Sequence, residues 1–280
     1  MDPSPHGRRR QAPFEAPPPG LEPLGRLGQY MNFWRIHAQP PVLVTMDHRA
    51  VLVAAWAARQ QGLFGAAPPL LLRIDAHPDF GEKPRSWAHE RAQLTDLDSV
   101  HAVVNDQRHD DGGWVVSALQ FGLARDVVSL FVHDYHRFPG DDDSYTDHTG
   151  TEHELATFPG IAAMQRKAET SRRLARILGS AGYCPETGWS PEGRALWVDL
   201  DLDFATRRSA SDEVRVWTEE DWALEFDAAG TAFLAGALSR AALVTIATEP
   251  EFCGGHGAVG VIADALKRVL APHGAWFEKL

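Results

Sequence analysis

A chain of 280 residues, 44% hydrophobic and 23% charged, is long enough to bury a full core and has the composition of a globular protein. Its formal net charge of -11 argues against a nucleic-acid partner, since phosphate binding needs clustered Lys and Arg. Only two cysteines, Cys184 and Cys253, exclude a zinc ribbon or disulfide framework, and no apolar run approaches the roughly 18 residues of a membrane span.

Residues 1–25 are rich in Pro, Gly and Arg without periodicity and predict an unstructured tail, leaving 26–280 as a single domain. Arg8-Arg9-Arg10 leads into Pro-rich sequence with no apolar core behind it, so a secretion signal is not expected. The expectation is a cytoplasmic protein with reduced cysteines.

Pro41 to Met46 reads as a short strand ending at Asp47-His48. Val51, Leu52, Ala55, Trp56 and Arg59 then follow at helical spacing up to Gly62, and Leu70 to Ile74 is the next apolar run. Strand, helix, strand predicts a βαβ unit with the two strands paired in parallel. Trp114 to Leu123 predicts a helix, Asp126 to His133 a strand, and Pro139 to Ser144 a solvated acidic loop. A basic amphipathic helix spans Gly160 to Leu178, and Leu196 to Phe204 is another strand. Thr218 with Glu219, Glu220 and Asp221 marks a helix start running on to about Arg240. Leu243 to Ala247 is a strand, and Gly254 to Gly257 opens a last helix over Ala258 to Leu270. The alternation predicts an α/β fold, a three-layer α/β/α arrangement on a mainly parallel sheet, with ligands at the carboxyl ends of its strands.

The chemistry-bearing residues fall at those ends. Asp75, His77 and Asp79 alternate where the Leu70 strand runs out, so in an extended chain they project from one face. Asp199, Asp201 and Asp203 alternate along a strand otherwise made of Leu, Trp, Val and Phe. Unpaired carboxylates on a buried face repel one another and cost several kcal/mol in desolvation, so a cation must meet them; metal ions and Arg or Lys side chains are the alternatives. With His48 added, the set is richer in oxygen donors than one tetrahedral zinc can use and suits two near-octahedral ions, for which manganese is the expected metal. Two ions roughly 3.5 Å apart can hold a hydroxide nucleophile at neutral pH.

The ordered motifs Asp47-His48, Asp75-Ala76-His77-Pro78-Asp79 and Asp199-Leu200-Asp201-Leu202-Asp203 resemble those of the arginase, agmatinase and deacetylase superfamily. The details are similar to a divergent branch that includes peptide arginases of ribosomal-peptide pathways, which turn peptidyl arginine into ornithine. The resemblance spans about residues 40 to 255. It implies an arginase-like fold and His48, Asp75, His77 and Asp79 with Asp201 and Asp203 as ligands of two Mn2+ ions, Asp199 supporting them from one step deeper. The register with Asp199 and Asp201 as ligands stays open. The resemblance also implies that Glu249 pairs with the substrate guanidinium, with an exposed turn at Glu249 or Glu251 as the alternative, and that Asp203 carries the proton. Acid–base candidates are His89, His133, His136 and His256, of which His136 and His256 are favoured. Free-arginine enzymes usually follow the second motif with an Asn- and Ser-bearing loop that grips the α groups, whereas here Phe80-Gly81-Glu82-Lys83-Pro84 follows. This departure implies an arginine-containing peptide as substrate. Other readings are a ureohydrolase of free arginine or agmatine, a single-zinc deacetylase-like amidohydrolase, and a non-catalytic partner protein that keeps the fold.

Overall fold

The computed structural model describes residues 21–23, 34–36, 40–81, 86–105, 111–132, 144–208 and 213–273. In chain order the strands are β1 (Leu21–Pro23), β2 (Trp34–Ile36), β3 (Val42–Thr45), β4 (Leu70–Ile74), β5 (Asp126–Leu130), β6 (Ser144–Thr146) and β7 (Glu152–Phe158). They continue with β8 (Tyr183–Cys184), β9 (Gly188–Trp189), β10 (Leu196–Asp201), β11 (Thr206–Arg208), β12 (Val214–Val216) and β13 (Leu243–Ala247). The helices are α1 (Val51–Gln60), α2 (Trp87–Gln93), α3 (Leu97–Asn105), α4 (Trp114–Gln120) and α5 (Ile161–Thr170). After them come α6 (Arg172–Ser180), α7 (Glu219–Glu225), α8 (Ala228–Arg240), α9 (Pro250–Cys253) and α10 (His256–Leu270).

One sheet carries the fold, in the order β1-β2-β3-β13-β10-β4-β5-β7-β6. From β3 to β7 every neighbouring pair is parallel, and antiparallel pairing is confined to the two edges. The inner strands are apolar runs because both of their faces are covered. Leu70, Leu72 and Ile74 of β4 pack into one core with Met164, Leu178, Leu238 and Leu266 from α5, α6, α8 and α10. Leu71, between them, enters a second core with Leu52, Val103 and Leu119 from α1, α3 and α4. Val127, Trp197 and Leu243 join Leu71, while Val128, Val198 and Val244 face the other way. The molecule is therefore helix, sheet, helix in three layers, the expected fold class.

Several boundaries differ from the sequence reading. β3 and β4 are parallel members of one sheet but not partners, because β13 and β10 lie between them. The single helix expected over Gly160 to Leu178 is two, broken at Ser171, whose hydroxyl accepts the Leu174 N–H at the start of α6. The helix from Thr218 also divides: Thr218 and Asp221 form a capping box on α7, and Asp227 caps α8. Leu21–Pro23, inside the stretch expected to be a tail, is the edge strand β1. Most consequential, β10 stops at Asp201, and Leu202–Ala205 form a 3-10 turn, so Asp203 does not lie on a strand. Asp201 starts that turn by accepting the Asp203 N–H on its own Oδ1 at 3.1 Å.

Candidate metal centre

β3, β13, β10 and β4 are adjacent and parallel, so their carboxyl ends open on one place, and each is followed there by an acid or an imidazole. After β3, Asp47 accepts the Arg49 N–H at 3.0 Å and turns the chain into a short 3-10 segment that carries His48 inward. His48 is buried. Its Nε2 lies 2.9 Å from Asp199 Oδ2, and its Nδ1 lies 2.9 Å from Asp201 Oδ2, 3.3 Å from Asp79 Oδ2 and 3.9 Å from Asp75 Oδ2. Behind the ring runs a buried relay. Trp197 Nε1 donates to Thr245 Oγ1 at 2.8 Å, and that hydroxyl donates to Asp199 Oδ1 at 2.5 Å. Asp199 thus faces the outer nitrogen of the imidazole, where a carboxylate fixes ring orientation in metal-binding histidines.

The other half of the cluster is built by turns. Asp75 Oδ1 accepts the His77 N–H at 2.6 Å, which folds the chain back after β4. The alternation read along an extended chain does not hold here: Asp79 has φ 46, in the left-handed region. His77 Nδ1 comes to 2.7 Å from Asp203 Oδ2. Asp203 is 1% exposed, so this contact is made by a buried carboxylate. His77 is the open side of the cluster, with 43% of its side chain accessible and the Phe252 ring 6.0 Å away.

Among the described residues, three sets bring ligand atoms within 4.8 Å of one another: His48, Asp75 and Asp199; His48, Asp201 and Glu249; and Asp75, His77 and Asp203. Glu249, 8% exposed, accepts the His48 backbone N–H at 3.2 Å and sits at φ 29, a backbone strain that non-glycine residues rarely carry. Asp79 belongs to none of the three sets, and its Oδ2 accepts from Arg73 at 2.6 Å.

Arg73 lies within β4, on the face that carries Leu71, and is wholly buried. Its NH2 donates to Asp75 Oδ2 and, at 2.6 Å, to Asp79 Oδ2. NH1 donates to the Pro78 carbonyl at 2.7 Å, and the guanidinium carbon stands 5.0 Å above the Trp114 ring. Trp114 Nε1 donates to the same Asp79 oxygen at 2.9 Å, and its ring packs 4.8 Å from that of His48.

The cluster holds protons tightly. Burial raises the Asp75 carboxyl and, with the charge of Asp203, lifts Asp201 well above the ordinary range. Burial and the neighbouring charge of Asp75 push Asp79 up to about 6. Burial works against protonating His48, but Asp199 and Asp201 outweigh it and hold the imidazole well above its usual value. Contact with Asp203 raises His77 to about 9. Cations are what such a site takes: protons, metal ions or both.

Of the expected acid–base residues, His256 is exposed at the start of α10, and His89 is exposed with its ring nitrogen 2.9 Å from Gln93 Nε2. His133, His136 and the acidic stretch 139–143 lie outside the described residues. Glu251 is exposed, whereas Glu249 is not. Trp87 packs in the core against Phe121, and Trp114 forms part of the site's floor. The sequence alone suggests Trp87 and Trp114 as groove-lining or core residues, and it gives no role to Arg73 or Thr245. A lone cation two residues before Asp75 in an apolar strand was the available signal for Arg73, since i and i+2 share a face.

No protein-family model matches the chain, and no curated protein matches it. Solved structures to which it is similar include proclavaminate amidino hydrolase from Streptomyces clavuligerus, at 14% identity and a TM-score of 0.45, over 84% of this chain and 64% of that one. Arginase from Medicago truncatula is 14% identical with a TM-score of 0.41, over 83% and 58%. Formimidoylglutamase from Bacillus subtilis is 10% identical with a TM-score of 0.43, over 85% and 60%. The chain thus spans less than two thirds of the length of each. No helix of the described residues is long and apolar enough to cross a membrane.

Proposed function

We propose that the chain is a metal-dependent hydrolase of a guanidino group, acting on arginine side chains carried in a peptide and releasing urea to leave ornithine. The observation that carries the reading is the convergence of buried carboxylates with two imidazoles at four adjacent strand ends, with one buried carboxylate oxygen, Asp203 Oδ2, 2.7 Å from the His77 imidazole nitrogen. Two ligand atoms 2.7 Å apart share a proton in the metal-free chain and suit a shared metal cation in its place.

The donor set fits a pair of oxygen-preferring divalent ions, and Mn2+ is the proposed metal. His48 Nδ1 with Asp201, Asp75 and Asp79 would hold one, and His77 with Asp203 and Asp75 the other, while Asp199 orients the His48 ring. When bound, such a pair supplies Lewis-acid charge and makes water acidic enough to attack at neutral pH. The chain's own residues do the rest. Glu249 accepts the substrate guanidinium, for which a planar fork of N–H donors is the matching partner and a lysine ammonium is not. Asp203 takes the proton from the attacking water and returns it to the departing amine. Entry is from the His77 and Phe252 side, the open side of the cluster.

Selectivity for a peptide is supported by the residues just past Asp79. Phe80 is buried edge-on against Tyr145, and Gly81 lies so close to Gly112 that a Cβ there would meet its carbonyl oxygen at 2.7 Å. These two described residues are packed into the fold, while Glu82, Lys83 and Pro84 lie outside the described residues. The test incubates manganese-loaded protein with peptides containing internal arginine, and in parallel with free arginine and agmatine. The expected result is a mass loss in the peptide equal to urea minus water. Turnover of the free compounds alone would make the chain an ordinary ureohydrolase. One zinc per chain, with release of an acyl group from lysine, would make it an amidohydrolase.

A further inference from the structure

Arg73 is a cation already seated in the cluster, and it does not treat the two halves alike. It donates to Asp75 Oδ2 and Asp79 Oδ2, the oxygens that also face His48 Nδ1 at 3.9 and 3.3 Å. On the other side, Asp203 Oδ2 faces His77 Nδ1 at 2.7 Å, and His77 is half exposed. A guanidinium two residues before Asp75 on the same strand face cannot leave: it is 0% exposed, tied to the Pro78 carbonyl at 2.7 Å and stacked over Trp114. An ion entering beside His48 must therefore take lone pairs that Arg73 holds and sit next to its charge, in a buried setting where screening is weak. An ion entering beside His77 meets Arg73 only through the shared Asp75 and does not contend for Asp79.

Resting on the metal-hydrolase reading above, we infer that Arg73 is an internal competitor for the His48-side metal position. The two positions consequently fill in order, the His77–Asp203 position tightly and the His48 position more weakly. In the metal-free chain the same guanidinium holds Asp75 and Asp79 together, so the fold persists without the second ion. The chain would then run between a singly and a doubly loaded form according to the supply of divalent cation.

The experiment titrates metal-stripped protein with Mn2+, reading bound ion by calorimetry and free ion by electron paramagnetic resonance, without any assay of turnover. The intact chain should show two steps of unequal affinity. Arg73→Met should draw them together by tightening the weaker step about 10- to 100-fold, the scale on which groups one shell beyond the ligands change metal affinity. Arg73→Lys, which keeps the charge, should leave them apart. Two indistinguishable steps in the intact chain, or a weaker step that Arg73→Met leaves alone or weakens further, would overturn the inference while leaving the two-ion reading intact. No bound ion at millimolar Mn2+ would overturn both. Should Arg73→Met not fold, Asp203→Asn serves instead: it should abolish the tight step and spare the weak one, and the reverse pattern contradicts the proposed order.

Discussion

Replacing Thr245 with valine removes one hydroxyl and almost no volume, yet it should disable the His48 half of the site. The hydroxyl accepts from Trp197 Nε1 at 2.8 Å and donates to Asp199 Oδ1 at 2.5 Å, and all three residues are 0% exposed. Valine leaves an indole N–H and a carboxylate oxygen buried without that partner. Each such loss costs about 1–3 kcal/mol, so the metal-free chain should lose about 2–6 kcal/mol, a large share of the roughly 5–15 kcal/mol of a typical domain. Asp199 would no longer be held against His48 Nε2, and affinity at the His48 position should fall about 10- to 100-fold. Affinity beside His77 should be untouched. Denaturant unfolding gives the first quantity and Mn2+ titration the second. Thr245→Ser is the control, since it keeps the hydroxyl and loses one methyl, about 0.8 kcal/mol. If valine were tolerated within about 0.5 kcal/mol, or if serine were as damaging, the relay from Trp197 to His48 would carry no weight and the reasoning would be refuted.

The remaining predictions separate charge, catalysis and fold. In the metal-free chain the folded pKa of His77 is raised from 6.5 to about 9 and that of Asp79 from 3.8 to about 6. The folded state therefore holds more protons than the unfolded one across both windows, and stability should fall as pH rises through them. The His77 contribution is complete below 6.5 and gone above about 9. Thermal melts in chelator should show this decline, and melts in Mn2+ should not, because ligands must be deprotonated for binding; a metal-free melting point that climbs toward pH 9 contradicts the assigned shifts. Glu249→Gln keeps an oxygen for the His48 N–H, so it should fold and bind both ions while turnover of an arginyl peptide drops about 10²- to 10³-fold; unchanged turnover would remove Glu249 from substrate recognition. Thr218→Ala breaks the α7 capping box at an exposed position and should cost about 1 kcal/mol of stability with no change in metal affinity. A loss of metal binding in that variant would mean that site effects elsewhere reflect general destabilisation.

The buried strands were readable because parallel strands covered on both faces are continuous apolar runs, and Leu70–Ile74 and Leu243–Ala247 stand where the residues put them. Their order in the sheet was not readable. Nothing local tells β3 that β13, some two hundred residues later, will be its neighbour. The helix breaks were hidden because Ser171 and Asp227, which start new helices as caps, look like ordinary polar positions within one. The acidic run was legible in its chemistry and misleading in its geometry: Val-Asp-Leu-Asp-Leu-Asp keeps a period of two, but the Asp201 side chain captures the Asp203 N–H and turns the backbone before the third acid. The need for a cation is also legible, with metal ions and basic side chains as the two ways to meet it. The structure brings Arg73 into the cluster beside an acid–imidazole set that suits ions, so part of the charge is met from within the chain.

Paired divalent ions held by these residues are the central claim, and metal content tests it most directly. Protein purified with Mn2+ and freed of loose ion should carry two per chain, Asp201→Asn should carry fewer, and Thr218→Ala should still carry two. Intact protein that retains no divalent ion, or an Asp201→Asn variant that retains as many as the intact chain, would contradict the account at its centre.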